Sequence, residues 1–363
     1  MASYYLFPRY LLNGNQSWIH FLVTDCANNN YNQISPSLSK YLLEIREKIN
    51  GTQKEELQKI INVYMWLHTP TPSKNKPVCK LNILSTSFFD YIEMIYTMHL
   101  NSLFDINIPL HSFHFARNNI GCIESLQKIR NHCKTDVYIL LGGDEGSMSN
   151  NTNNIYSEQL REEEVVYYWE RCYHNYGGTM DMITADSTVD FYSGKKGVIS
   201  GMMQICLAIV MQKKKGIFIM KVEDSFNMAF LDSVCFLSFF YEKTFFIQPS
   251  TVDPTSSYKY IVCKGFLHDN IREFYTEIQQ IWFITFSYVT NPKRLFSINI
   301  PALFIGKLEE INSIMGQPQL EQLSYAISTI SNRNRQDRIH YLVKQNIQKC
   351  IEWCMKYHVL YQG

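Results

Sequence analysis

Residues Lys213 to Phe266 read KKKGIFIMKVEDSFNMAFLDSVCFLSFFYEKTFFIQPSTVDPTSSYKYIVCKGF, and the reading of this stretch decides the fold. Three short apolar runs stand out: Ile217–Met220, Thr244–Ile247 and Tyr260–Cys263. Each is rich in β-branched and aromatic residues, the composition of a buried strand. Between the first two, Phe226–Phe240 is apolar at helical spacing and long enough to cross over a sheet. The order strand, helix, strand and hairpin-like return predicts the end of an α/β sheet. Lys221 closes the first of these strands, where open α/β sheets place their ligands.

Working outward, the rest of the chain repeats this alternation. A strand is predicted within Pro109–Ser125, and others at Val137–Leu141 and Met180–Ala185, the last followed by Asp186. Helices are predicted over Ser85–Leu100, Glu158–Tyr173 and Val198–Lys215. The last would carry Lys213, Lys214 and Lys215 at its C-terminus, where cations suit the helix dipole. Ahead of this region, Pro36 opens a predicted helix with Leu38, Leu42, Ile45 and Ile49 on one face. A second helix, starting at Lys54, is expected to carry Leu57, Ile60, Ile61, Tyr64 and Leu67. Thr69–Pro77 (TPTPSKNKP) has three prolines, two lysines and no apolar residue, the clearest boundary signal in the chain. The tail reads as helices over Asn270–Tyr288, Leu320–Ser331 and Asp337–His358, with Pro292 and Pro301 in the loop between. The last helix packs on the core or on a partner. Three regions follow: 1–80, a mostly helical extension; 81–268, the α/β domain; and 269–363, a helical extension.

Composition sets the bounds. With 363 residues, 46% hydrophobic and 18% charged, the chain is that of a globular protein with a sizeable core. A formal net charge of +1 excludes a whole-molecule field for polyanions and leaves room only for a local basic patch. Ten scattered cysteines without a Cys-x-x-Cys pair, and no signal peptide, predict free thiols in a reducing, cytoplasmic setting. Val198–Met211 is too short to span a bilayer, so no membrane partner is expected. His111 and His114 lack a third ligand at useful spacing and read as core or surface histidines.

Several blocks, in order, resemble the FtsJ-like ribose 2′-O-methyltransferases, particularly cap-modifying and viral members. Gln248–Val262 (QPSTVDPTSSYKYIV) follows the family's KP-x-SSRP-x-NSE-x-Y-I-V block at Pro249, Pro254, Ser257 and Tyr260. Thr184-Ala185-Asp186 matches the family's Thr-Ala-Asp, and Gln204 and Lys221 follow ungapped. Ser87, Phe88, Phe89, Tyr91 and Glu93 reproduce the surroundings of the family's first catalytic lysine. Phe115–Glu124 (FARNNIGCIE) sits where the family has its glycine turn for S-adenosylmethionine.

The resemblance implies a Rossmann-like methyltransferase fold over residues 85–268 and a Lys-Asp-Lys-Glu catalytic set. Asp186 and Lys221 retain two members. The other two positions hold Asp90 and Tyr258, and the family arginine of the later block falls on Asp253. Asp90 on its own reads as an ordinary solvated helix residue. The pair Asp186–Lys221 has two readings, a catalytic remnant or a plain salt bridge. In the cofactor loop, glutamate has become Arg117, proline Asn119 and the first glycine Ile120, while Ala116 and Gly121 keep the register. A β-branched residue does not replace a glycine needed for close ligand approach. Asp144, in the acidic Gly142–Gly146 loop, is a weak candidate for a ribose contact beside its reading as a turn. The expectation is a degenerate homologue that binds no cofactor and serves a protein partner in mRNA capping or transcription, with any RNA contact weak. The alternative is an active cap 2′-O-methyltransferase using S-adenosylmethionine.

Overall fold

The computed structural model describes residues 3–11, 33–50, 54–115, 120–141, 155–158, 165–186, 197–269, 271–287, 292–332 and 335–362. Among the described residues, eight strands form one sheet: β1 (Ser3–Phe7), β2 (His111–Phe115), β3 (Val137–Leu141), β4 (Ile155–Glu158), β5 (Met180–Asp186), β6 (Gln212–Val222), β7 (Tyr241–Gln248) and β8 (Lys259–Phe266). The α-helices among the described residues are α1 (Pro36–Asn50), α2 (Lys54–Ile61), α3 (Ser87–Thr97), α4 (Gly121–Ile129), α5 (Val165–Tyr176), α6 (Val198–Met211), α7 (Met228–Phe240), α8 (Tyr275–Ser287), α9 (Ala302–Ser331) and α10 (Arg335–Lys356).

The strand order is β4-β3-β2-β5-β6-β8-β7-β1. The first five are parallel, and β8 runs antiparallel between β6 and β7. The chain winds outward from β2 to β4, then returns to β5 and winds the other way. That reversal is the switch point of a doubly wound sheet, and it lies between the carboxyl ends of β2 and β5. A reversed hairpin, β7–β8, completes the sheet. This is the α/β Rossmann-like methyltransferase fold that the sequence led us to expect.

Alternation along β3 shows how the layers form. Ile139 and Leu141 join one core with α5, α6, α7 and α8, while Tyr138 and Leu140 join the other with α3 and α4. Both faces are covered, as a parallel sheet requires. A third core, outside α3, gathers Ile45, Leu57, Leu323, Ala326 and Trp353 from α1, α2, α9 and α10. The N-terminal and C-terminal segments therefore pack on each other and on α3. The apolar face of α10 is spent on this core, with Cys350, Trp353 and Cys354 buried. β1 extends the sheet by pairing with β7, Tyr5 opposite Phe246.

Several boundaries differ from the sequence reading. α6 stops at Met211, and Lys213, Lys214 and Lys215 belong to β6. The pairing of β5 and β6 jumps from Met180–Gln212 to Met182–Ile217, a bulge that turns the three lysines to solvent. Glu158 ends β4 rather than opening a helix, and α5 covers Val165–Tyr176 among the described residues. Tyr64 and Leu67 lie beyond α2, beside and within a 3₁₀ turn at Met65–Leu67. α8 begins at Tyr275 rather than Asn270. α9 runs for 30 residues from just after Pro301 and straight through Pro318. Its first half buries Phe304, Leu308 and Ile311 on the sheet side, and its second half buries Leu323 and Ala326 in the third core. Contacts along both halves outweigh the roughly 3 kcal/mol that an internal proline costs a helix.

Candidate active site

The site is built on strand ends at the carboxyl edge of the sheet. Asp186 is the last residue of β5, and its register partner on β6 is Lys221. The Lys221 Nζ lies 3.5 Å from Asp186 Oδ2, with the two side chains 17% and 7% exposed. The same ammonium stands 4.1 Å from the centroid of the Tyr258 ring, a cation–π contact. Gln204, from the first half of α6, donates through Nε2 to the Asp186 carbonyl at 3.1 Å and ties that helix to the strand end.

Asp90 joins this group from the other side, and here the sequence reading is corrected. Asp90 is 3% exposed and is no solvated residue. Every residue from Ser87 to Ile95 is buried, because α3 lies between two cores. Phe88, Phe89 and Ile92 face the helical layer, and Tyr91, Met94 and Ile95 face the sheet. Asp90 Oδ1 accepts from the Thr251 hydroxyl at 2.5 Å, and Oδ2 accepts from the Tyr260 hydroxyl at 2.9 Å. Tyr260 is itself opposite Lys221 in the β6–β8 register. Burial pushes the Asp90 carboxyl up to about 6, against the pull of those two hydroxyls; Glu93 adds to the rise and Lys221 opposes it. Glu93, one helical turn on, accepts from the Ser250 hydroxyl at 2.8 Å and from the Trp353 indole at 3.2 Å. That indole bond locks α10 onto the site.

The four positions of the family's set, Asp90, Asp186, Lys221 and Tyr258, thus meet in one place. Burial holds the Tyr258 phenol well above its usual range, so it stands as a neutral group. The cluster contains two carboxyls, one ammonium and one phenol, where the family set has two ammonium and two carboxylate groups.

Other candidates divide. Ala116, Arg117 and Asp144 lie outside the described residues. Gly121 is the first residue of α4, and its bare Cα faces the start of α3. A Cβ there would meet Ser87 Oγ and stand 2.5 Å from the Phe88 backbone nitrogen. Its missing side chain lets two helices touch. His114 is buried between Ser112 and Thr184 hydroxyls at 2.8 Å, and burial lowers its imidazole to about 3. Among the described residues no His, Cys, Asp and Glu grouping suits a metal ion, and no helix is long and apolar enough to cross a membrane. Lys213 pairs with Asp181 at 2.7 Å and Lys214 with Asp269 at 2.6 Å.

A cavity of about 170 Å³ opens next to the cluster, walled by residues from the turn after α2, the start of α3 and the loop before β8. Asp90 and Tyr258 belong to both the cluster and this cavity. Thr251, Tyr260 and Tyr64 were not singled out as site residues from sequence. Their hydroxyls bond across more than a hundred positions of chain or face a cavity built from distant segments; Tyr260 lies on the family block, but nothing local gives its hydroxyl, or Thr251 and Tyr64, a place at the site.

No family model matches the chain, and no curated protein matches it. Solved structures similar to it include a Plasmodium falciparum protein described as a ribosomal RNA methyltransferase, 15% identical, covering 51% of this chain and 99% of that one, with a TM-score of 0.36. MNMC2 of Aquifex aeolicus is 10% identical over 80% of this chain and 98% of its own, with a TM-score of 0.32. A methyltransferase complexed with S-adenosylhomocysteine is 12% identical over 47% of this chain and 49% of its own, at 0.29. Likenesses of this strength carry no argument about activity. The assignment of fold rests on the strand order.

Proposed function

We propose that this chain is a degenerate relative of the FtsJ-like RNA 2′-O-methyltransferases that no longer transfers methyl groups. It acts as a binding or scaffold subunit in mRNA capping or transcription, engages a protein partner there, and touches RNA only weakly. One observation carries the reading: a buried carboxyl, tied down by Thr251 and Tyr260, fills the position of the first catalytic lysine. Activating a ribose hydroxyl takes a base within reach of it, and a lysine serves only where neighbouring cations or desolvation help it shed its proton. At the place of the first lysine stands a carboxyl instead of a cation beside Lys221, and at the place of the glutamate stands a ring that lies against Lys221. The near-neutral net charge agrees with weak, salt-sensitive RNA contact.

A second reading has an observation of its own. A carboxyl at about 6 beside an open cavity suits a general base, so Asp90 is the group that would replace the lysine in an active transferase. The two readings separate in one experiment. Titration calorimetry with S-adenosylmethionine and a methyl-transfer assay on capped RNA are run on the wild type, Lys221→Ala and Asp90→Asn. The expected result is no transfer above background in any of them. Transfer by the wild type that disappears in either variant overturns the proposal and makes the protein an enzyme.

A further inference from the structure

The cavity beside Asp90 has a lining that selects by charge. Four rings line it, those of Tyr64, Phe89 and Tyr258 and the His68 imidazole, which burial biases toward its neutral form, together with two carboxyls, Asp90 and Asp253. Neutral donors hold both carboxyls in place. Asp90 takes the Thr251 and Tyr260 hydroxyls, while Asp253 takes the Thr255 amide and hydroxyl at 2.8 Å and Gln58 Nε2 at 3.0 Å. Among the described residues, neither carboxyl forms an ion pair. Lys221, the nearby ammonium, is engaged by Asp186 and the Tyr258 ring and does not line the cavity.

We infer that this cavity receives the guanidinium of an arginine side chain presented by a protein partner. Aromatic faces and carboxylates together attract a cation. A planar guanidinium stacks on a ring while its forked N–H groups reach two separate carboxylates; a lysine ammonium offers a point charge without the plane. At about 30 Å³ per water the space equals five or six water molecules, enough for a guanidinium and its adjoining methylenes. A nucleobase would stack as well, but its phosphates would meet Asp90 and Asp253, with Glu93 one helical turn away, and like charges disfavour that. The inference rests on the reading of this chain as a partner-binding protein and names the chemistry of the contact.

The test uses the full chain and three probes: N-acetyl-arginine methylamide, its neutral isostere N-acetyl-citrulline methylamide, and GMP. Saturation-transfer NMR and calorimetry report binding to the wild type, Asp253→Asn and Asp90→Asn. The arginine probe is expected to saturate, with the citrulline probe at least about tenfold weaker and each variant at least about fivefold weaker. Asp253→Asn, in a half-buried loop, keeps the test open if Asp90→Asn fails to fold. Equal binding of arginine and citrulline probes, no saturation, or indifference to Asp253→Asn overturns the inference. So does GMP binding that the arginine probe fails to displace, which would make this a nucleobase site. Methyl transfer on capped RNA is scored separately. A silent cavity without transfer removes this inference alone, and transfer with the arginine probe bound removes the proposed function alone.

Discussion

Replacing Asp90 by Asn should exchange the ranking of wild type and variant between pH 4 and pH 7.5. Burial raises this carboxyl from 3.8 to about 6 in the folded chain. At 1.36 kcal/mol per unit, a rise of this size corresponds to about 3 kcal/mol. The direction follows from proton binding. Below about pH 4 the carboxyl is protonated in both the folded and the unfolded chain, and the group costs nothing. As pH rises from about 4 through about 6, the unfolded chain ionises first and stability falls. Above that window the whole penalty is in force, because the folded chain then holds a buried carboxylate with hydroxyl donors and no ion pair of its own.

Asparagine removes the titration and keeps the shape. Its carbonyl accepts from one hydroxyl, and its amide faces the other, which must turn round to accept; a mismatch of this kind costs about 1 kcal/mol. The variant should therefore be about 1 kcal/mol less stable than the wild type at pH 4 and about 2 kcal/mol more stable at pH 7.5. Urea unfolding at pH 4, 5, 6 and 7.5 measures the difference, and other titrating groups cancel between the two proteins. Parallel curves would refute the reasoning. A wild type that gains on the variant as pH rises would refute it in sign, since it would mean that the folded state prefers the charged form.

Two further outcomes follow from buried groups. Lys259 donates to Ser225 at 2.6 Å, and burial lowers its ammonium from 10.5 to about 8. The unfolded chain therefore holds this proton more tightly, stability rises between about pH 8 and 10.5, and Lys259→Met should stabilise the fold by about 1–3 kcal/mol at pH 7 and less at pH 10. Calorimetric melting at the two pH values checks this, and an equal loss at both would contradict it. Gly121→Ala should destabilise by about 1–3 kcal/mol, because the added methyl drives against the Phe88 backbone nitrogen and Ser87. Unfolding of the variant with no change in midpoint would mean that α4 can shift away from α3.

How much of this was legible in the sequence depended on the range over which each feature is decided. β6, α7, β7 and β8 could be read because their runs carry their own period and composition. The neighbourhood of Asp186 and Lys221 could be read because each ends a strand and the two strands are adjacent. The burial of Asp90 could not. Its helix is amphipathic by pattern, and its second buried face exists only because Trp353 and the second half of α9 come to cover it from the far end of the chain. The start of α9 was hidden for a local reason: Gly316 and Pro318 are poor helix residues, and tertiary contacts along both halves override them. The three lysines after α6 looked like the end of a helix because cations suit that position equally well; the bulge that carries them is set by pairing with β5.

The two readings of the site meet at one residue. Asp90 lies within reach of the Lys221 charge on one side and lines the aromatic cavity on the other. A lysine at this position would add a second cation beside Lys221 and would place a positive charge in the cavity wall. An aspartate does the reverse twice: it removes the like charge that helps an amine act as a base, and it gives the cavity an acidic wall. On the proposed reading, an absence of methyl transfer and an affinity for a cationic side chain are both expected from a carboxyl at this one position. Asp90→Asn separates them from any general effect of altered packing. It keeps the shape of the side chain and removes the charge, so it should weaken the arginine probe and, on the proposed reading, leave methyl transfer at background. A variant that binds the probe as the wild type does would break the link, because the wall would then attract cations without the charge assigned to it.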